Sequence, residues 1–246
     1  MKLHQKLFWL LICLLPVQLG RHFWPNFSLV LGLRIDYLSP TFFLTDLLVV
    51  LVLAFWLWEK KRRLETLNLI WFKKNWWVVI FFLFLGLNVF LAQNQGAAFY
   101  KLLKITEFSL LALYIVKEKI SLSFLALPLS LGVLGSSLMA LLQFFHQGSL
   151  NGLFWWLGER TFNINTPGIA KAILGGKLIL RPYGTFPHPN ALAGFLLVGL
   201  ILTSNFFLKE KRWLTFVYYF LAIIALFFSF SRKPFSASHP GYFYFL

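Results

Sequence analysis

The sequence predicts an all-α fold, a polytopic transmembrane helix bundle of about seven spans, with the N-terminus inside and the C-terminus outside. Three observations predict it. Mean hydropathy is +0.73, and 59% of residues are hydrophobic while only 13% are charged, too few to keep a soluble domain of this size in solution. Near-continuous apolar stretches recur, each close to the ~20 residues that cross a bilayer as helix. Between them, basic clusters sit against alternate ends of the stretches, as the positive-inside rule requires.

Lys2 and Lys6 precede the apolar run Leu7–Leu15. That run suits either a signal peptide or a first span reaching about Pro25. No small-x-small cleavage site follows, which favours an uncleaved helix. Phe23–Pro40 reads as a mixed loop holding Arg34 and Asp36. The second span, Thr41–Trp58, carries Asp46 a little over one turn inside and stops at Glu59-Lys60-Lys61-Arg62-Arg63. Lys73-Lys74 lead into the third, Asn75–Gln93. The fourth starts at Gly96 and ends near Val116, before Lys117-Glu118-Lys119. The fifth is Ser121–Phe145. The sixth, Ala191–Phe207, is closed by Lys209-Glu210-Lys211-Arg212, and the seventh is Trp213–Phe230.

The net charge of +15 raises the question of nucleic acid. Its distribution argues against one. Lys2, Lys6, Lys60, Lys61, Arg62, Arg63, Lys73, Lys74, Lys117, Lys119, Lys209, Lys211 and Arg212 all fall in inner segments, 13 of the 23 basic residues. They lie in short loops against helix ends, so the charge is mostly topological. The bilayer is the expected partner, and no nucleic acid is. The single cysteine, Cys13, excludes an intramolecular disulfide and a cysteine-based metal site.

His146–Asn190 is long for a connection inside a bundle, and long loops are often functional. Phe154-Trp155-Trp156 suits interfacial anchoring or stacking on a sugar ring. Ile169–Leu174, Gly175-Gly176 and Lys177–Leu180 read as two short strands about a Gly-Gly turn, with a broken surface helix as the alternative. Arg160, Lys171, Lys177 and Arg181 face one acid, Glu159. The loop ends in Arg181-Pro182-Tyr183-Gly184-Thr185-Phe186-Pro187-His188-Pro189-Asn190. The prolines bar an earlier helix start, and Asn190 stands where an N-cap is expected. A helix start, a fixed cation at Arg181 and an imidazole at His188 form a candidate anion site. The plainer alternative is a rigid capped loop with Arg181 on lipid phosphate.

Lys101, Lys104 and Glu107 descend one face of the fourth span. Ionisable residues inside a membrane are costly and are functional candidates by default. Lys104 and Glu107 are spaced to pair along the helix. Asp46 joins them if the second and fourth spans touch. Such a network equally suits a structural role.

Several strings share an order: Gly158-Glu159-Arg160-Thr161-Phe162, Thr166-Pro167-Gly168-Ile169-Ala170, then Arg181–Gly194, then Ser229-Phe230-Ser231-Arg232 after the next helix. Earlier, Ile35–Pro40 precedes a span with Thr45-Asp46. Together they resemble the O-antigen ligase and O-antigen polymerase superfamily of bacterial membrane glycosyltransferases. The resemblance implies transfer of a glycan from an undecaprenyl diphosphate carrier to an acceptor sugar, outside the cytoplasmic (inner) membrane. It implies no metal or cofactor. Its donor and acceptor partners would be a lipid-linked glycan and a glycan acceptor. Arg181 matches the arginine before the family's Gly-Thr-Phe run, and Arg232 its Ser-Arg arginine. Both are expected on the diphosphate, because guanidinium gives fixed charge and bidentate bonds to phosphate oxygens.

On this reading residues 1–145 form a five-span region and 146–190 an extracytoplasmic loop. Residues 191–232 start the shared ligase-like domain, and 233–246 form an atypical tail. The family's large outer loop and later helices fall after Arg232, so the expectation is a truncated or frameshifted member with its catalytic residues unknown. His239 in that tail is not expected to be a base. The alternatives are a transporter or flippase of an anionic lipid-linked glycan, and an inactive membrane fragment.

Overall fold

A computed structural model describes residues 1–62, 75–174, 176–207 and 213–229. The predicted basic residues Arg63, Lys73, Lys74, Lys209, Lys211 and Arg212, Gly175 of the Gly-Gly turn, Arg232 and the 233–246 tail lie outside them.

The described chain is mostly helical. Its α-helices are α1 (Leu3–Cys13), α2 (Leu44–Arg62), α3 (Trp76–Leu91), α4 (Gln95–Lys117), α5 (Leu122–His146), α6 (Pro189–Phe207) and α7 (Trp213–Ser229). Each predicted apolar segment thus contains a helix. Only α5, at 25 residues and mean hydropathy 2.0, is long and apolar enough among the described residues to cross a membrane. α1 and α3 are apolar but shorter. α2 carries Asp46 and the terminal Glu59–Arg62, and α4 carries Lys101, Lys104 and Glu107, which lowers the hydropathy of both.

The first helix stops well short of Pro25, contrary to expectation. Leu14 caps it, and Pro16 follows. A proline disfavours helical geometry at the residue before it, which ends the helix there. The chain then extends as β1 (Gly20–His22), antiparallel to β4 (Thr41–Phe43), with Gly20 opposite Phe43. A Cβ on Gly20 would lie 2.5 Å from the Phe43 ring, so the pairing requires glycine there. The second helix accordingly begins at Leu44 and not at Thr41. Between β1 and β4, β2 (Leu29–Val30) and β3 (Leu33–Arg34) close a hairpin over Leu31-Gly32, both at positive φ.

The chain divides into two compact units, Met1–Leu129 and Ser130–Leu246. In the first, α2 packs against α1 and α4, and α3 against α4. Tyr114, fully buried, is the hub: the rings of His4, Phe8 and Trp56 meet it edge-on, with centroids 5.2–5.6 Å away. Its hydroxyl lies 2.9 Å from His4 Nδ1, so the phenol is not left unsatisfied. At the same helix ends Lys2 pairs with Glu59 at 2.9 Å, and Trp56 Nε1 donates to Glu118 at 2.8 Å.

In the second unit α6 and α7 pack closely through Leu192, Leu196, Leu200, Tyr218, Ala222 and Ala225. Ala222 and Ala225, both fully buried, let these backbones approach. The loop after α5 holds β5 (Lys171–Leu174) and β6 (Lys177–Leu180), antiparallel with Leu174 opposite Lys177. This is the predicted hairpin, and Gly176 takes its positive φ of 77°. Phe162, Leu180 and Tyr183 form a small core beneath it.

Candidate functional site

Arg181 follows β6 directly, and its N–H donates to the Ala170 carbonyl at 3.1 Å, extending the hairpin by one rung. The side chain is therefore carried inward, and Arg181 is only 6% exposed. Its Nη2 donates to Asn190 Oδ1 at 2.6 Å and to the Ser229 carbonyl at the end of α7. Its Nε is buried with no hydrogen-bond partner. No carboxylate pairs with it among the described residues. Burial pulls its pKa down, opposed by the neighbouring Tyr183. An arginine stays charged under such a shift. The guanidinium thus lies largely inside the protein, beside the start of α6.

The helix start differs in detail too. α6 begins at Pro189, so His188 and not Asn190 is the N-cap. The His188 carbonyl accepts from Ala191 at 3.0 Å, and its Nδ1 accepts from the Asn190 N–H at 3.1 Å. Pro189 takes the first helical position, where its fixed φ fits and its missing N–H costs nothing. Asn190 is thereby freed to face Arg181. His188 is exposed, its ring 6.2 Å from that of Tyr183. The structure brings Arg181, Asn190 and His188 together around one helix start.

One residue that sequence reasoning missed holds this loop in place. Gln143, fully buried near the end of α5, accepts at Oε1 from the Tyr183 and Gly184 N–H groups at 3.0 and 2.7 Å. Its Nε2 donates to the Gly184 carbonyl at 2.9 Å and to Glu159 Oε1 at 2.8 Å. Every bond a glutamine amide can make is made. Glu159, the loop's single acid, accepts in addition from Leu150 and Asn151 N–H, each at 2.7 Å. It ties the loop together and does not neutralise Arg181. The signal was present in the sequence: a lone amide near the end of an apolar span needs partners.

In the other unit the charges that the sequence placed within predicted spans meet. Lys104 pairs with Asp46 and, at 3.4 Å, with Glu107. Asp46 is the third residue of α2, nearer the helix start than predicted. Its carboxylate also accepts from the Phe43 N–H at 2.8 Å, capping the helix from inside. Tyr100 Oη donates to the Thr41 carbonyl at 2.9 Å beside it. Glu107 Oε1 is buried without a partner. Lys101 is exposed and outside this cluster.

Phe154-Trp155-Trp156 lies in a 3-10 turn, Gly152–Leu157, with Trp155 and Trp156 exposed and edge-on at 5.0 Å. Comparison with known proteins finds no matching family model, curated protein or solved structure.

Proposed function

We propose that this chain is a multi-span bacterial inner-membrane protein of the O-antigen ligase/polymerase type. It would transfer a glycan from an undecaprenyl diphosphate carrier to an acceptor sugar on the outer face. The observation that carries this reading is Arg181, a buried guanidinium with an idle Nε and no partner carboxylate among the described residues. A buried charge without compensation is costly. An anion at the start of α6 would compensate it, and a departing diphosphate gains charge in the transition state, where a fixed cation helps most. Arg232 stands with it on the resemblance alone.

The bilayer as partner is supported by α3. No residue of α3 is buried, and Trp76, Phe84, Leu87 and Phe90 are each more than half exposed. Such a helix is out of place in water. On this reading α5 crosses the membrane and the shorter apolar helices among the described residues enter it.

The test is transfer of a fluorescent glycan from its undecaprenyl diphosphate donor, in membranes holding this chain, Arg181→Lys or Arg181→Ala. Arg181→Ala is expected to abolish transfer and Arg181→Lys to reduce it at least tenfold, with hydrogen exchange over α6 unchanged in the lysine variant. Transfer at the unmutated rate in a folded Arg181→Ala protein would sink the reading. Movement of the donor across the vesicle membrane with no new glycosidic bond would favour the transporter instead.

A further inference from the structure

A second site lies in the loop, where α5 ends and the chain doubles back. A cavity of about 310 Å³ opens there, lined by His146, Asn151, Thr161, Asn163 and Thr166 among others. Its floor is the antiparallel bridge between Gly148 and Asn163. Ser149, 3% exposed, locks that floor: its N–H and hydroxyl both donate to the Phe162 carbonyl, at 3.0 and 3.1 Å. The Phe162 N–H donates back to the Ser149 hydroxyl at 3.2 Å.

The lining carries amides, hydroxyls and one imidazole, and no Asp, Glu, Lys or Arg. His146, Thr161, Asn163 and Asn151 are exposed at its mouth, where their polar groups are open to a bound molecule. A volume near 310 Å³ is at the small end of ligand pockets, which run from about 300 Å³ upward. Neutral donors and acceptors around such a space match a ligand that is itself neutral and rich in hydroxyls. A phosphate would lack a cation here, and a metal ion a carboxylate.

The backbone marks the same place independently. Asn151 has φ 60° and ψ −162°, a region essentially reserved for glycine. The Glu159 carboxylate holds it there through the Asn151 N–H at 2.7 Å. The Asn151 amide reaches back over Ser149: its Nδ2 donates to the Ser149 carbonyl at 3.2 Å, and its Oδ1 lies 3.2 Å from the Ser149 hydroxyl as an alternative acceptor to Phe162. Gln147, also lining the cavity, has φ 56°. Backbone strain retained by non-glycine residues clusters where their side chains are used. If the turn alone mattered, glycine would serve better at position 151.

We propose that this cavity binds one uncharged sugar ring, with Asn151, Thr161, Asn163 and His146 as its polar contacts. The site is distinct from Arg181, and it rests on the glycan-transfer reading only for the source of that sugar. The experiment is saturation-transfer NMR of the full chain in a detergent without a sugar headgroup. The probes are cellobiose, lactose and N,N′-diacetylchitobiose. The proposal expects saturation of at least one probe, weakened at least tenfold by Asn151→Gly and by Asn163→Ala and unchanged by Arg181→Lys. Asn151→Gly is also expected to raise the melting temperature, which separates lost contact from lost fold. No saturation of any probe, or equal saturation in Asn151→Gly, overturns it. Because sugar binding is read without donor turnover, it stands or falls apart from the transfer assay.

Discussion

Gln143→Leu is a near-isosteric change with a large expected effect. The amide is fully buried and makes four hydrogen bonds. Leucine fills similar space but accepts and donates nothing. Two backbone N–H groups, of Tyr183 and Gly184, and the Gly184 carbonyl then lose their partner. Glu159 keeps its bonds to Leu150 and Asn151. Each buried polar group left unsatisfied costs about 1–3 kcal/mol. Three such groups, offset by better burial of an apolar side chain, give about 3–5 kcal/mol. That cost falls on the loop anchored to α5, so it appears first as local opening. The assay is amide hydrogen exchange in detergent. Tyr183 and Gly184 are expected to lose at least about a hundredfold in protection, since each 1.4 kcal/mol is a factor of ten. Amides of α2 and α4, in the other unit, are expected to hold. A change below tenfold at both amides would refute the argument that this glutamine carries the loop.

Lys104→Met strands Asp46 and Glu107 and is expected to destabilise by about 3–5 kcal/mol, read as a lower melting temperature in detergent. Adding Asp46→Asn is expected to recover part of the loss, and no recovery would deny the pair. Gly199→Ala would place a Cβ 2.3 Å from Val133 Cγ2 between α6 and α5. A cost of about 1–3 kcal/mol is expected, relieved by Val133→Ala in the double variant. His188→Ala removes the side-chain acceptor at the start of α6. It is expected to cost about 1 kcal/mol, visible as faster exchange of the Asn190 amide.

The positions of the helices were legible because each rests on a local property. Apolar length, bounding charge and proline fix where a helix can run: α5 was placed within one residue at each end. The β5–β6 hairpin was legible for the same reason, since a Gly-Gly pair between β-forming arms sets both turn and register. Lys104 and Glu107 were readable as a pair because helix geometry places residues three apart together.

What the sequence could not supply is what depends on distant partners. Gly20–His22 is a strand because Thr41–Phe43 lies beside it, a pairing with no local pattern. Asp46 meets Lys104 only because α2 packs on α4. Arg181 was recognisable as a cation beside a helix start, but its bond to the Ser229 carbonyl, 48 residues away, was not. Pro189 opens α6 and makes His188 the cap, and the partner that takes up the freed Asn190, Arg181, was not legible from the local pattern. Composition and periodicity thus determined which segments are helices. Tertiary structure alone decided which polar groups are buried together, because the cost of an unpaired buried group is settled only by what lies across the fold from it.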